Sequence, residues 1–396
     1  MGIEKPLTPC RDRNNGNMRI CHVTPHLPPD QAANALLPFH LGALARMDGH
    51  EVNYVAHPPA SGNTVQLAGP VQWLPRPGRL PIGVRQLSSI FRTIRIVQAV
   101  KPLIRDVDLL HLHTNGLLSE VCGLMSRQLG IPTVLTLYGT EIWHYRRRSI
   151  DLFTRMYEGS AHVTFYSRAL LKHASDNDLQ ARETSVIYPP AASNFRYAAQ
   201  SERDSIRINL GLTERNILVN VKRLHPLAGQ RHLIDSMPSV LNACPDTRLV
   251  ICGSGPLHHE LQQRVDQLNL RNHVTLLGEV NNQTVASYCS AADLFVLPSL
   301  LEACPTVALE ALACGTPVVS SDNPGGVELS ALFGKDITIV PRKDVEQLAS
   351  AIIQRLQHRT RVAETTSARI ENEFRPDGVW RQFRSIYEAI AHQQTS

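Results

Sequence analysis

Two glutamates, Glu302 and Glu310, are separated by seven residues in the segment EACPTVALEALACGTPVV, residues 302–319. Pro305 lies between them and is suited to the first position of a helix, where its missing N–H costs nothing. With a helical rise of 1.5 Å per residue and a short loop, the two carboxylates would lie ~10 Å apart. This is too far for a pair that shares a proton. The spacing suits contacts of the two carboxylates with the two ends of an extended ligand. The alternative is that both glutamates lie on a solvated helix face.

A second candidate is the segment GSGP, residues 253–256, which follows a strand-like apolar run and opens a helix-like one. His258 occupies the third glycine position, so the dinucleotide pattern G-x-G-x-x-G is incomplete. The turn either offers backbone N–H groups to a ligand or is a structural glycine turn, and the sequence leaves both interpretations open.

Several other residues capable of metal or nucleophilic chemistry are interpreted as structural. The triplets DVD (106–108) and DND (176–178) fit helix capping and turn chemistry better than a metal site. His111 and His113 alternate along a strand-like run, and we interpret them as core residues rather than ligands. Cys304 is interpreted as a small packing residue rather than a nucleophile. We therefore expect no metal site.

Size and composition indicate a globular protein with two domains. The chain has 396 residues, of which 43% are hydrophobic and 19% charged. No apolar run approaches the ~18–20 residues that span a bilayer. The polar start has no apolar core typical of a secretory leader. The eight cysteines form no CxxC pair, which favours reduced thiols in a cytoplasmic protein.

Charge is distributed unevenly along the chain. Residues 1–198 contain 21 Lys/Arg and 14 Asp/Glu, a balance of +7, whereas the remainder has 19 and 21, a balance of −2. Basic and apolar residues mix at helical spacing over 79–105, and three arginines follow at 146–148. This predicts an amphipathic helix with a solvated basic face, or else docking on an anionic membrane or an acidic acceptor. No nucleic-acid motif accompanies the charge, so nucleic-acid binding is not expected.

Short apolar runs alternate with helix-length segments in both halves of the chain. We predict strands in two sets, over 18–24, 51–57, 108–114, 132–139 and 161–167, and then over 216–224, 247–255, 273–280, 293–299 and 317–322. A proline-rich segment, residues 186–195, separates the two sets. The alternation predicts an α/β protein with two Rossmann-like, doubly wound domains that face an inter-domain cleft.

The segment LPSLLEACPTVALEALACGTPVVSSDNPGGVEL resembles the donor-site signature of the retaining glycosyltransferases of family four, which have the GT-B fold. The segments LGIPTVLTLYGTEIW, VKRLHPLAGQRHLI, VICGSGP and EFRPDGVWRQFRSIY also match the family in order, and the likeness covers residues 18–390. The resemblance implies transfer of a sugar, with retention, from a nucleotide diphosphate donor to a hydroxyl acceptor without a metal or other cofactor.

The resemblance also implies roles for individual residues. Glu310 would bind the ribose hydroxyls and Glu302 would lie by the transferred sugar, while Arg223 would neutralise the diphosphate. Gly255 would lie near the nucleotide. The backbone at the helix start would contact the sugar hydroxyls and the diphosphate; its residues are Ala303, Cys304, Pro305, Thr306 and Val307.

The sequence departs from the family pattern at three places. Ala228 stands where the family has a lysine that binds the diphosphate, and Lys222 or Arg231 would have to supply that charge. Tyr138 replaces a histidine near the reacting sugar, so only a hydroxyl is offered there. The usual glycine pair of the first loop is replaced within PPDQAANALLP, residues 28–38.

We therefore predict a disordered lead-in (1–17), an acceptor-side domain (18–198), a nucleotide-sugar domain (199–375) and a C-terminal helix (376–396) that packs back on the first domain. The expected location is the cytoplasm, including peripheral contact with the inner face of the membrane. Two alternative functions remain: a nucleotide-sugar-binding protein that has lost turnover, and an epimerase or phosphorylase of the same fold.

Overall fold

A computed structural model describes residues 17–30, 33–59, 62, 65–76, 85–147 and 151–395. Most of the predicted lead-in, the beginning of the basic segment 79–105 and Arg148 lie outside these residues. The chain divides into two compact units. The first unit comprises Met1–Leu135, Ile150–His162 and Tyr387–Ser396, and the second comprises Thr136–Ser149 and Val163–Ile386. The domain limits expected at residues 198 and 375 remain a prediction.

Thirteen strands lie in the described part of the chain. In chain order they are β1 (Arg19–Val23), β2 (Glu51–Ala56), β3 (Val71–Trp73), β4 (Leu109–His113), β5 (Thr133–Leu137), β6 (His162–Phe165), β7 (Thr184–Val186), β8 (Asn216–Val221), β9 (Thr247–Cys252), β10 (Val274–Gly278), β11 (Leu294–Leu297), β12 (Val318–Ser321) and β13 (Ile337–Val340).

Fifteen α-helices connect and flank these strands in the same described residues. They are α1 (Ala33–Met47), α2 (Arg85–Ile104), α3 (Leu117–Leu129), α4 (Thr140–Trp143), α5 (Leu152–Gly159), α6 (Arg168–Asp176), α7 (Gln200–Asn209), α8 (Gln230–Ala243), α9 (His258–Gln267), α10 (Asn282–Ala291), α11 (Thr306–Ala313), α12 (Pro324–Phe333), α13 (Val345–His358), α14 (Glu364–Glu373) and α15 (Pro376–Thr395). Short 3₁₀ turns span Pro226–Ala228 and Gly334–Asp336.

The strands form two sheets, each with the order of a Rossmann-like fold. The seven-stranded sheet has the order β3-β2-β1-β4-β5-β6-β7, and the six-stranded sheet has the order β10-β9-β8-β11-β12-β13. Strand β1 pairs in parallel with β2 and β4, and β8 pairs in parallel with β9 and β11. The strand order therefore reverses at β1/β4 and at β8/β11, where ligands bind in open α/β sheets.

Helices cover both faces of the six-stranded sheet. On one face Phe295 and Ile217 pack with Leu309 and Leu312 of α11. On the other face Leu218 and Val296 belong to a second buried cluster with residues of α8, α9 and α13. Strands buried on both faces read as continuous apolar runs, which is why short apolar runs in the sequence located most of them.

The structure confirms the predicted α/β class with two parallel, Rossmann-like sheets and corrects some details. All ten predicted strands are present, but β3, β7 and β13 were not predicted. Each of these three strands has only three or four residues and lies at the edge of its sheet. Pro305 was expected to be the first residue of α11; instead the helix begins at Thr306 and Pro305 is its N-cap residue.

The seven cysteines in the described residues are all unpaired. Two of the fully buried thiols, Cys21 and Cys122, lie in the first unit, and Cys252, Cys289 and Cys314 are buried in the second. Burial raises the pKa of Cys21 and that of Cys252 to about 12. No helix among the described residues is long and apolar enough to cross a membrane.

Candidate functional site

The two glutamates of the opening segment flank the start of α11, which follows β11 at the point where the sheet order reverses. In the described part of the chain, no side chain caps the first turn of α11. Its N–H groups can therefore meet a ligand that carries acceptor atoms. The N–H of Gly325 donates to the Glu302 carbonyl at 3.0 Å. A Cβ on Gly325 would lie 2.8 Å from Pro305 Cδ, so the start of α12 holds this loop through a close contact that glycine permits.

Glu302 forms an ion pair with Lys222, which directly follows β8. The Lys222 Nζ lies 2.7 Å from Glu302 Oε1 and 2.8 Å from Oε2. The Glu302 side chain is only 11% exposed and that of Lys222 is 30% exposed. A carboxylate this buried requires a partner, and Lys222 supplies both charge neutralisation and donors.

Arg223 and the glycine turn lie at the ends of the neighbouring strands β8 and β9. The Arg223 side chain is exposed. A Cβ on Gly253 would lie 2.1 Å from the Lys222 carbonyl oxygen, and one on Gly255 would lie 2.3 Å from the Leu224 carbonyl oxygen. The loops after β8 and β9 therefore pack backbone against backbone. This packing places the Gly253–Gly255 turn beside the two cationic residues Lys222 and Arg223.

Ala228 occupies a buried position in the 3₁₀ turn and offers no polar group. Of the two cations proposed to replace the family lysine, Arg231 bonds Glu260 at 3.0 Å and lies 3.9 Å from Asp235. Lys222 instead contacts Glu302. Of the two cations, Lys222 is therefore the one that contacts a predicted donor residue.

Glu310 lies in the second turn of α11 and is largely buried. Burial raises the pKa of its carboxyl to about 7, although the N–H of Ala192, which donates to it, acts in the opposite direction. The Glu310 carboxyl therefore ionises near neutral pH, in contrast to an exposed glutamate on a solvated face.

Tyr138 and Gly139 lie next to the loop before α11, within the second unit. The Tyr138 ring packs edge-to-face on Tyr166 with 4.7 Å between centroids. A Cβ on Gly139 would be 3.3 Å from the Ala303 Cβ. The buried Glu141 carboxylate accepts the Gly139 N–H at 2.8 Å and fixes this turn. The structure therefore brings the Tyr138 segment to the predicted donor residues.

Cys304 is half-buried, and so are its neighbours at the helix start, Thr306 and Val307. Burial, and then the charges of Glu328 and Glu302, raise the pKa of the Cys304 thiol well above its ordinary value. A protonated thiol is a poor nucleophile, so this environment suits packing rather than covalent catalysis.

Sequence reasoning missed two residues that support the site. Asn323 is fully buried; its Oδ1 accepts the Gly326 N–H at 2.8 Å and its Nδ2 donates to the Ser299 carbonyl at 3.2 Å. The Asn-Pro pair at a helix start was the available signal. Glu328 accepts a hydrogen bond from the Tyr188 hydroxyl at 2.7 Å, and no local pattern marks it.

A separate cluster of buried histidines lies on one face of the first sheet, where His22 on β1 is in register with His111 on β4. His22 Nδ1 lies 3.0 Å from His113 Nε2, and His111 Nδ1 lies 2.6 Å from the Tyr387 hydroxyl. One nitrogen from each histidine falls within a 4.8 Å group. The His111 and His113 rings stack with 4.0 Å between their centroids. The cluster is best described as a hydrogen-bonded network.

Burial keeps this network uncharged. It lowers the pKa of His22 to about 3 and that of His111 and His113 well below the ordinary range, with neighbouring histidines adding to the shift of the last two. The imidazoles therefore remain neutral at pH values where an exposed histidine is protonated.

Comparisons with known proteins agree with this architecture. Residues 202–373 match the family model described as glycosyl transferases group 1, and residues 40–192 match that described as glycosyltransferase family 4. The chain belongs to the glycosyltransferases of family four and has the GT-B fold.

Two curated relatives are GDP-mannose-dependent alpha-(1-6)-phosphatidylinositol monomannoside mannosyltransferases. The Mycolicibacterium smegmatis enzyme is 33% identical over 41% of this chain and 45% of its own length. The Mycobacterium tuberculosis enzyme is 27% identical over 60% of this chain and 63% of its own length. The chain thus spans about half to two thirds of the length of these relatives.

Two solved structures show the same fold. Sucrose-phosphate synthase from Thermosynechococcus elongatus is 20% identical with a TM-score of 0.75 and covers 94% of this chain and 99% of its own. Anabaena Alr3699/HepE, solved in complex with UDP, is 21% identical with a TM-score of 0.76 and covers 94% of this chain and 100% of its own.

Proposed function

We propose that this protein is a retaining glycosyltransferase that moves a sugar from a nucleoside diphosphate donor to a hydroxyl acceptor. The observation that carries the proposal is the arrangement at the start of α11, where Glu302 and Glu310 flank an uncapped helix N-terminus and Lys222 contacts Glu302. The named relatives are GDP-mannose-dependent mannosyltransferases, which supports a nucleotide-sugar donor.

Each group has a distinct task in this proposal. The first-turn N–H groups of α11 bind the diphosphate, because a helix N-terminus favours negative charge. Glu310 accepts hydrogen bonds from the ribose hydroxyls, and Glu302 accepts them from the transferred sugar. Arg223 and Lys222 neutralise charge on the diphosphate. Because these groups supply the charge stabilisation that a divalent cation gives elsewhere, the reaction needs no metal cofactor.

The proposed reaction takes place on one face of the sugar. The acceptor oxygen forms a bond to the anomeric carbon as the bond from that carbon to the diphosphate oxygen breaks. The acceptor proton passes to the departing phosphate oxygen, and the products are a glycoside and a nucleoside diphosphate. No protein nucleophile takes part, so the protein contributes positioning and electrostatic stabilisation. Tyr138, whose neighbour Gly139 approaches Ala303, contributes a hydroxyl next to the reacting sugar.

A donor screen followed by product analysis tests this function. Thermal shift with UDP-, GDP- and ADP-sugars should identify a donor that raises the melting temperature, because a ligand of the folded state stabilises it by mass action. With that donor and a glycoside acceptor, NMR should show a product with the anomeric configuration of the donor. An inverted product contradicts retention. Binding without turnover supports the impaired binding protein, and isomerised sugar or phosphate-dependent cleavage supports the epimerase or phosphorylase.

Peripheral contact with an anionic membrane on the cytoplasmic side is a further part of the proposal. One face of α2 presents Phe91, Ile94 and Lys101, and Arg105 follows the helix directly; all four side chains are exposed. Phe91 is 67% exposed and Ile94 is 46% exposed. Apolar side chains next to cations suit insertion beside anionic headgroups. The variant Phe91→Ser/Ile94→Ser should sediment less with phosphatidylglycerol vesicles than the unaltered protein. Equal sedimentation contradicts membrane contact through this face.

A further inference from the structure

A groove of about 790 Å³ opens in the first unit at the carboxyl ends of β1 to β4. Its walls come from the loops after these strands and from one side of α2. The volume is in the range of small-molecule sites, and the position is the one at which open α/β sheets bind ligands. The α2 residues that line it, Arg92, Arg95, Ile96 and Ala99, differ from those of the exposed Phe91 face.

The groove has a strongly positive lining. Arg76, Arg92 and Arg95 all line it, and no aspartate or glutamate is among its described lining residues. Asp30, just outside, lies 2.7 Å from Arg76 Nη2 and 2.9 Å from His26 Nδ1, so one carboxylate offsets part of this charge. Arg92 and Arg95 contribute two further guanidinium groups to the lining.

The state of a neighbouring histidine agrees with this charge. His57 lines the groove and its Nδ1 lies 2.8 Å from the Leu74 carbonyl oxygen. Burial is the main cause that lowers the pKa of His57; the bond to the Leu74 carbonyl acts in the opposite direction, and the neighbouring Arg76 and His26 side chains lower the pKa further. The imidazole thus experiences the field that an anionic ligand would neutralise.

The remaining lining suits a sugar ring next to the anion. Trp73 is half-buried and Ile96 and Leu118 add apolar surface, while Gln72 and Asn115 offer amides. Aromatic and apolar walls with a few polar groups are typical of sites for small organic ligands. The combination therefore fits a phosphorylated glycoside better than an isolated inorganic ion.

We infer that this groove binds the phosphate or diphosphate ester of the acceptor, so that the acceptor is a phosphorylated glycoside. The inference rests on the proposed glycosyltransferase function. Planar guanidinium groups bind phosphate oxygens in pairs, which explains the use of arginine at these positions. A soluble sugar phosphate and a lipid-linked sugar diphosphate present the same chemistry to the groove.

A binding measurement without donor tests the groove itself. Quenching of tryptophan fluorescence by glucose 1-phosphate, inorganic pyrophosphate and glucose should give saturable binding for the two phosphates and none for glucose. A Trp73→Phe variant should lose the signal. The double variant Arg92→Ala/Arg95→Ala should weaken phosphate binding at least ~10-fold, as expected when charge-assisted hydrogen bonds are removed. Arg155→Ala, an exposed arginine on α5 of the same unit, is the matched control and should bind normally.

Transfer assays then separate the two proposals. With the donor found by thermal shift, a phosphorylated glycoside should be used at least ~10-fold more efficiently than its neutral counterpart, and the double variant should abolish that preference while leaving donor binding unchanged. Parallel assays with a soluble sugar phosphate and a detergent-dispersed lipid-linked sugar diphosphate show which of the two acceptors carries the phosphate that the groove binds. Equal use of charged and neutral acceptors, or unchanged phosphate binding by the double variant, overturns this inference. Failure of every nucleotide-sugar to bind would instead contradict the proposed function.

Discussion

At the scale of single residues, the contact between Lys222 and Glu302 is the feature that sequence patterns could not provide. The two residues are 80 positions apart, and only the packing of the loops after β8 and β11 brings them together. Lys222 and Arg231 were the two candidates for the missing family lysine; Lys222 contacts Glu302 whereas Arg231 contacts Glu260, and on this ground we propose Lys222. The sequence therefore suggested which residues form the proposed donor site, whereas the contact between Lys222 and Glu302 depended on the fold.

Replacement of Lys222 tests its role at the donor site. Lys222→Ala leaves the largely buried Glu302 carboxylate without its cation, and donor affinity should fall ~10–100-fold because charge on the diphosphate loses a partner. Arg231→Ala should change donor affinity less than about 2-fold, because Arg231 contacts Glu260 and Asp235 and not Glu302. Loss of its surface ion pair should also change the free energy of unfolding little. Isothermal titration with the donor measures both. A larger effect at Arg231 than at Lys222 would reverse the assignment.

Glu310 predicts a pH dependence of donor binding. Because burial raises the pKa of its carboxyl to about 7, the group is mostly protonated at pH 6 and mostly ionised at pH 8. The ionised form is the better acceptor for ribose hydroxyls, so donor affinity should rise across this interval. Glu310→Gln should bind more weakly at pH 8 and show a flat profile. An unchanged slope in the variant contradicts the role of Glu310.

The same shift affects stability, with a definite sign. The folded state retains the Glu310 proton between the ordinary value of 4.5 and about 7, so stability falls as pH rises through that window. Glu310→Gln removes this loss and should be more stable than the unaltered protein at pH 8, by at most about 3 kcal/mol. Urea denaturation at pH 5 and pH 8 measures the difference, which should be much smaller at pH 5.

At the scale of elements, short apolar runs predicted the strands at the centre of each sheet. The edge strands β3 and β7 escaped prediction because they have three residues each and none of these is fully buried, so no apolar run marks them. Strand β13 does contain an apolar run, but four residues are too few to separate from a helix segment by periodicity. The predicted start of α11 at Pro305 was wrong by one residue, because the helix begins at Thr306.

The glycine turn after β9 should resist substitution. A Cβ at residue 255 would lie 2.3 Å from the Leu224 carbonyl oxygen, so Gly255→Ala must displace one of the two loops. We expect a lower melting temperature together with weaker donor binding. Gly211→Ala is the control, because Gly211 also has positive φ but has no neighbour within 4 Å of an added Cβ. Equal losses of stability and donor binding in the two variants would show that only backbone strain matters.

At the scale of the whole molecule, the protein has two sheets with separate buried interiors, and the histidine network belongs to the first. The fold class was predictable because each set of strands repeats the same alternation, and the family resemblance followed the same order. The histidine contacts were not predictable, since they require His22 from β1, His113 from β4 and Tyr387 from α15 to meet.

This network should make the protein acid-labile. The folded pKa of His22 is about 3 while the ordinary value is 6.5, so the unfolded chain binds more protons between these values and stability falls as pH decreases. Each neutral histidine contributes a slope of up to about 1.4 kcal/mol per pH unit. His113→Asn should reduce the slope measured by urea denaturation between pH 6.5 and 4.5. His144→Asn, at an exposed position, should leave it unchanged, and equal slopes in both variants would contradict this origin.

The buried cysteines give each unit a chemical reporter of its own opening. Cys21 and Cys122 are enclosed in the first unit and Cys252, Cys289 and Cys314 in the second, so a thiol reagent can reach them only after that unit opens locally. Peptide-resolved alkylation under native conditions would therefore follow the two units separately. A nucleotide-sugar should slow labelling in the second unit, and a sugar phosphate should slow labelling in the first.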